Sequence, residues 1–290
     1  MEILETPAEM RAWRRARAGQ TLGFVPTMGF LHDGHLSLVR AAATENDLVA
    51  VSIFVNPTQF GPNEDFTRYP RDEERDLELL RAAGVAAVYM PSAATVYPEG
   101  YQTYVTVERV TQRLEGEVRP GHFRGVATVV LKLFNAVEAD RAYFGRKDAQ
   151  QLRVIQRMVR DLDMGVEIVP CAIVRESDGL AMSSRNVYLS PEQRQAATVL
   201  SRALLAARGA YQAGERDADM LRSLVYVHLG SEPLGEVDYV SLGDDATLDE
   251  LDGIVSGPAL LSIVVRFGPT RLLDNIELRP KGCPGASRAC

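Results

Sequence analysis

Leu22-Gly23-Phe24-Val25-Pro26-Thr27-Met28-Gly29-Phe30-Leu31-His32-Asp33-Gly34-His35 is the stretch that decides the fold. An apolar run reads as a short buried strand, a glycine turns the chain, and two histidines straddle a second glycine where a helix should begin. The first N–H groups of a helix lack partners within it and the helix dipole is positive there, so such a start favours phosphate. Gly34 would let a phosphate approach the backbone. His32 and His35, three residues apart and therefore on one helical face, would follow charge as it develops on a phosphoryl group. The bland readings are a helix cap with surface histidines, or half of a metal site. A metal needs more ligands, and His122 and His228 have no Cys or Glu cluster of suitable spacing beside them. Neither a Walker-type phosphate loop nor a dinucleotide-type glycine fingerprint occurs in the chain. A bound nucleotide would have to use the histidine motif.

Working outward, strand-like runs at 21–26, 48–55, 85–90, 141–144 and 166–169 alternate with helix-like runs at 35–44, 73–83, 126–137 and 149–162. Apolar runs separated by amphipathic helices predict an α/β fold, a mostly parallel sheet with helices on both faces. Residues 104–110 also read as strand, an excursion near the sheet edge. Ligands of such open sheets collect beyond the carboxyl ends of the strands, where the histidine motif and Val55-Asn56-Pro57-Thr58-Gln59 both lie. After residue 175 the pattern changes. Ser190-Pro191-Glu192-Gln193 is a helix start with a capping box, opening one long alanine-rich helix to about 212. A second helix is expected around 218–229. Strand candidates follow at 237–242, 259–267 and 271–278, the last two joined by Gly268-Pro269-Thr270 as a hairpin. The predicted organisation is a domain over 1–175, a smaller α+β C-terminal domain over 176–280, and a flexible tail over 281–290.

The bulk numbers narrow the function. A chain of 290 residues with 46% hydrophobic and 24% charged residues is an ordinary globular protein. A net charge of −7 gives no general attraction to nucleic acid or to an anionic membrane, so neither is expected as a partner. The only lysines are Lys132, Lys147 and Lys281, and a lysine kept at 147 among so many arginines suggests a role for its ammonium. Cys171, Cys283 and Cys290 make no disulfide framework, and the acidic N-terminus is wrong for a secretory signal, so a cytoplasmic location is expected.

Further groups carry chemistry. Gly145-Arg146-Lys147-Asp148 follows a strand and opens a helix. Asp148 reads as a sound N-cap with Gln151 as capping partner. It also reads as an acceptor for ribose hydroxyls, with room given by Gly145 and positive charge by Lys147. Met182-Ser183-Ser184-Arg185 lies in a small polar loop that reads either as a plain linker or as a lid closing over phosphates. Asn56, Gln59 and Gln151 are neutral amides on the expected ligand side. An amide would hold a nucleophilic carboxylate without quenching its electron density as arginine would. Arg119 and His122 add a cation and a donor ahead of a helix, though His122 also reads as an ordinary loop histidine.

Taken together, five ordered motifs resemble the pantoate–β-alanine ligases (pantothenate synthetases). They are Pro-Thr-Met-Gly-x-Leu-His-x-Gly-His at 26–35, Phe-Val-Asn-Pro-x-Gln-Phe at 54–60 and Arg-Pro-Gly-His-Phe-Arg-Gly-Val at 119–126. The others are Gly-x-Lys-Asp-x-Gln-Gln at 145–151 and Arg-x-x-Asp-Gly-Leu-Ala-Met-Ser-Ser-Arg-Asn at 175–186. The resemblance implies a Rossmann-like ATP-binding domain, a C-terminal lid and a homodimer. It implies that ATP and (R)-pantoate give a pantoyl-adenylate and pyrophosphate, and that β-alanine then releases AMP and pantothenate. Carried onto this chain, Met28, Gly29, Phe30, Leu31, His32, Asp33, Gly34 and His35 would contact ATP, with His35 as proton donor. Gly145, Arg146, Lys147, Asp148 and Val174 would bind the nucleotide, and Met182, Ser183, Ser184 and Arg185 its phosphates. Gln59 would touch pantoate and β-alanine, and Gln151 would hold pantoate. Mg²⁺ is expected with ATP, its ligands unassigned, Asp72 and Asp76 being candidates. Arg146 stands where many relatives have an acidic residue. Two other readings share some of these features: another nucleotidyltransferase of the same histidine motif, and an RNA-binding relative of a tRNA synthetase. The paired glutamines argue against the first and the acidic balance against the second.

Overall fold

The computed structural model describes residues 1–62 and 64–280. The tail expected over 281–290, with Lys281, Cys283 and Cys290, lies outside them. The chain divides into two units, Met1–Arg146 with Gln150–Ala172, and Lys147–Ala149 with the described residues from Ile173 onward.

The first runs β1 (Glu2–Leu4), α1 (Pro7–Arg15), β2 (Leu22–Thr27), α2 (Asp33–Glu45), β3 (Leu48–Ile53), α3 (Glu73–Ala82) and β4 (Ala87–Tyr89). Two single turns follow, α4 (Ala93–Val96) and α5 (Glu115–Val118), then α6 (His122–Val137), β5 (Arg141–Gly145), α7 (Ala149–Asp161) and β6 (Glu167–Cys171). The six strands form one parallel sheet in the order β1-β4-β3-β2-β5-β6. Successive strands move outward one way from β2 and the other way from β5, so the order reverses between these two neighbours. That is where an open α/β sheet leaves a crevice for ligand. The histidine motif leaves β2 there, and Gly145 ends β5.

Four elements of this unit go beyond the expectations from sequence: β1, α1 and the single turns α4 and α5. Thr6-Pro7-Ala8-Glu9 starts α1 with a reciprocal capping box, the same signature that marks Ser190. The helix buries Met10 and Trp13. Strand β1 is too short to show alternation, and pairing with β4 alone defines it. The strand expected at 104–110 does not form among the described residues. The Val105 N–H donates to Thr128 Oγ1 of α6 at 2.9 Å, not to a neighbouring strand, and Arg109 at φ +60° ends the extended run.

The second unit has α8 (Pro191–Ala196), α9 (Val199–Ala213), α10 (Ala218–Gly230), β7 (Gly235–Asp244), β8 (Ala259–Phe267) and β9 (Thr270–Leu278). The strands form an antiparallel sheet in the order β7-β8-β9. Leu200, Leu204, Leu221, Leu261 and Phe267 are among its core residues. The expected hairpin forms with a turn one residue shorter, Gly268-Pro269, because Thr270 already pairs with Phe267 as the first residue of β9. The single helix expected from 191 to about 212 is instead broken after Ala196. Thr198 takes the Gln195 carbonyl twice, by its N–H at 3.2 Å and its hydroxyl at 2.8 Å. That tightens the turn and interrupts the ladder. Among the described residues no helix is long and apolar enough to cross a membrane.

Candidate active site

The connections that follow β2, β3, β4 and β5 carry the first unit's candidate residues. In the loop after β2, Thr27 Oγ1 donates to the Ser52 carbonyl at 2.7 Å and accepts from the Gly29 N–H at 3.1 Å. Gly29 and Phe30 then both turn left-handed, at φ +78° and +49°. A Cβ on Gly29 would lie 3.0 Å from Ile53 Cγ2 and 3.1 Å from Asp76 Oδ2. This turn delivers His32 to the N-cap of α2.

The cap itself is made of imidazoles. His32 Nδ1 accepts from the Gly34 N–H at 3.1 Å, and His35 Nδ1 accepts from the His32 N–H at 3.4 Å. This is a capping box with histidines in place of the usual Ser and Glu. The rings lie 4.0 Å apart between centroids. The His35 N–H bonds the His32 carbonyl. The Gly34 and His35 N–H groups at the helix start are thus taken up within the motif itself. With each Nδ1 accepting a backbone N–H, a neutral ring carries its proton on Nε2. Both imidazoles then present an N–H donor on the edge away from the backbone.

The loop after β3 supplies Gln59. Asn56 is 1% exposed and braces it. The Asn56 amide donates to Gln59 Oε1 at 3.1 Å and to the Gly125 carbonyl at 3.2 Å, while its Oδ1 accepts from Tyr97 and from Thr58. With Oε1 so held, Gln59 turns its NH₂ toward Met28, where Nε2 lies 3.2 Å from Sδ. That aims a neutral donor at the carboxyl end of β2. Gly125 makes the approach possible, since a Cβ there would stand 2.4 Å from the Thr58 carbonyl oxygen.

Arg119 and His122 converge on the backbone of the same residue. His122 Nδ1 donates to the Gln59 carbonyl at 2.8 Å, Arg119 Nη2 donates to it at 3.3 Å, and Arg119 Nη1 lies 3.3 Å from His122 Nε2. Arg119 also grips Glu64 with two bonds, at 2.7 and 2.5 Å. Burial and then the neighbouring guanidinium push His122 down to about 4, so the ring is neutral at ordinary pH. Burial pushes the Glu64 carboxyl up, but the paired guanidinium outweighs it and holds the group below its usual range. Gln59, Phe60, Glu64, Arg119, His122 and Gly125 line part of a cleft of about 660 Å³.

The two adjacent glutamines after β5 separate cleanly. Gln150 is buried, accepting from the Glu115 N–H and donating to the Val110 and Arg113 carbonyls. Gln151 is half-buried and shares none of those partners. In the second unit, Lys147 Nζ stands 3.8 Å from Asp148 Oδ1. The Met182 N–H donates to the Val174 carbonyl, Ser183 Oγ accepts from the Arg185 N–H at 3.3 Å, and Asn186 bonds Glu176 and the Ala181 carbonyl. The polar loop at 179–186 is thus a braced turn.

Neither metal candidate from the sequence is placed as a ligand. Asp76 Oδ1 and Oδ2 accept the Leu31 and Phe30 N–H groups, and Asp72 caps α3 by accepting from Arg75. Among the described residues no group of three or more His, Cys, Asp or Glu side chains could hold a metal. What the sequence did not single out is this use of Asp76, along with Tyr97 and Glu64. A lone Asp or Tyr carries no spacing signal for a contact made across loops.

The family model described as pantoate-beta-alanine ligase matches residues 2–277. A pantothenate synthetase of Herpetosiphon aurantiacus is 59% identical over 278 residues, covering 96% of this chain and 100% of its own. The crystal structure of pantothenate synthetase from Thermus thermophilus is 50% identical, with a TM-score of 0.91, over 97% of this chain and 100% of that one. That of pantoate-beta-alanine ligase from Francisella tularensis, complexed with beta-gamma ATP and beta-alanine, is 32% identical with a TM-score of 0.77, over 95% and 97%.

Proposed function

The chain belongs to the pantoate–β-alanine ligase family, and from that premise we propose that it joins (R)-pantoate to β-alanine through a pantoyl-adenylate. A free carboxylate resists amide formation because its leaving group is oxide. Adenylation replaces that leaving group with AMP. In the first step a pantoate carboxylate oxygen attacks the α-phosphorus of ATP and pyrophosphate departs. In the second the β-alanine amine attacks the acyl carbon, and AMP leaves with the bridging oxygen while pantothenate is released. No protein nucleophile is needed, so catalysis is positioning and electrostatics.

The observation that carries the reading is the reciprocal imidazole cap. Held at Nδ1 by backbone N–H groups, each neutral ring would offer Nε2–H as a preorganised donor when charge shifts onto the departing phosphates. His35 is assigned as the proton donor and Lys147 as the cation on the phosphates. Gly145, Arg146, Asp148 and Val174 are assigned to the nucleotide, and Met182, Ser183, Ser184 and Arg185 to its phosphates. Gln59, oriented by Asn56, offers an uncharged donor to the pantoate carboxylate and so leaves its electron pair available. Gln151 holds pantoate from the other side. Arg119 and His122 act by holding the Gln59 backbone. Mg²⁺ enters as the counter-ion of the triphosphate, since the described residues form no cage of their own, and no step is assigned to it. A cytoplasmic homodimer completes the proposal, as the family resemblance implies.

The test is exchange of labelled pyrophosphate into ATP. Exchange should require pantoate and proceed without β-alanine, and AMP should accumulate steadily only once the amine is added. Exchange supported equally by unrelated phosphate acceptors would favour a different nucleotidyltransferase.

A further inference from the structure

Strand β9 carries two adjacent buried polar residues that the reaction scheme leaves without a role. Asp274 is 2% exposed and Asn275 4%. Asp274 takes Arg175 with two bonds, Nη1 to Oδ2 at 2.6 Å and Nη2 to Oδ1 at 3.0 Å, and Arg175 Nη1 also donates to the Gly179 carbonyl at 3.0 Å. Arg175 and Ala181 face each other across an antiparallel bridge, so this ion pair anchors the turn that ends at Met182 and Ser183. Asn275 Nδ2 donates to the Lys147 carbonyl at 2.7 Å. Asp274 Oδ1 accepts from the Asn275 N–H at 2.8 Å, joining the two anchors through one carboxylate.

Burying a carboxylate and an amide on adjacent strand positions is costly unless both are fully hydrogen-bonded. Packing alone has no need of either, and apolar side chains would serve it as well. Successive residues of a strand also reach opposite faces, so this pair can hold two segments far apart in sequence. The segments held are the two in this unit that the proposed function assigns to the nucleotide phosphates. We propose that Asp274 and Asn275 are positioning residues: Asn275 sets the backbone of Lys147, Asp274 sets the 175–183 turn, and together they present both to the nucleotide in fixed register. This inference rests on the functional reading above.

The test is calorimetric titration of the full-length protein with ATP and, separately, with pantoate. Asn275→Ala should weaken ATP binding roughly tenfold, the worth of one good buried hydrogen bond, and leave pantoate binding unchanged. In a Lys147→Ala background the same substitution should cost clearly less than in the wild type, because part of its effect passes through the Lys147 ammonium. Equal losses in both backgrounds, a parallel loss for pantoate, or no loss would each overturn the proposal. Should Asn275→Ala not fold, Asn275→Leu keeps the side-chain size, removes the donor without burying a charge and serves for the same comparison. Wild-type protein that binds no ATP would instead overturn the functional reading and leave this comparison without its premise.

Discussion

Asp76 Oδ1 lies 2.7 Å from the backbone nitrogen of Leu31, and its other oxygen lies 2.6 Å from that of Phe30. One buried carboxylate at the start of α3 thus holds the left-handed turn that leads into the imidazole cap. Arg75 closes the other side by donating to the Leu31 carbonyl at 3.0 Å. Phe30 at φ +49° is a conformation that L-residues adopt at a cost of about 1–2 kcal/mol, so the turn needs such a clamp. Burial pushes the Asp76 carboxyl up, against the lowering by the Leu31 and Phe30 N–H groups.

Asp76→Ala leaves two N–H groups without their acceptor. It should cost about 2–4 kcal/mol in urea unfolding and reduce pyrophosphate exchange far more than it reduces pantoate binding. Unchanged exchange in a folded variant would show that the turn does not aim the histidines.

His35→Ala and Lys147→Ala should fold normally and lose exchange by about 100-fold or more, the scale of removing one preorganised donor from an active site. Thermal melting checks the first half of that statement and exchange rates the second. Near-wild-type exchange in His35→Ala would refute its role.

His122 makes stability depend on pH. Its folded value of about 4 lies below the ordinary 6.5, so the unfolded chain binds the proton more readily. The stabilisation is therefore fully present above pH 6.5 and is lost as pH falls from there toward 4, by about 3 kcal/mol in all. Urea unfolding between pH 4 and 7 measures the slope, and His122→Gln should flatten it. NMR titration should find the imidazole still neutral at pH 5.5.

Gly125→Ala would drive a methyl group into the Thr58 carbonyl and the Gln59 backbone nitrogen, 2.4 and 2.8 Å away. Backbone cannot rotate aside as a side chain can, so the loop must shift. Overpacking of this kind costs about 1–3 kcal/mol. The KM for pantoate should rise more than the KM for ATP, which steady-state kinetics would show.

Much of this architecture was legible in the sequence because its signals are local. The buried run at Leu22–Thr27, the glycine turn and the cap at His32 lie within fourteen consecutive residues, and the hairpin at Gly268-Pro269 is a two-residue signature. α1 carries a local signal too, in Thr6-Pro7 and Glu9, but charge dominates its surroundings and masks its apolar face. β1 could not be read, since three residues show no period. At 104–110 the alternation was genuine but sheet formation needs a partner, and Thr128 supplied the bond instead. The clamp at Asp76 and the pair at Asp274-Asn275 were beyond local reading, because each acts on a segment distant in sequence and carries no spacing of its own.

Oxygen transfer tests the central claim most directly. With both carboxylate oxygens of pantoate labelled with ¹⁸O, turnover with ATP and β-alanine should place one label in the phosphate of AMP and leave the other in the amide carbonyl of pantothenate. Label found in pyrophosphate or orthophosphate, with none in AMP, would contradict a pantoyl-adenylate.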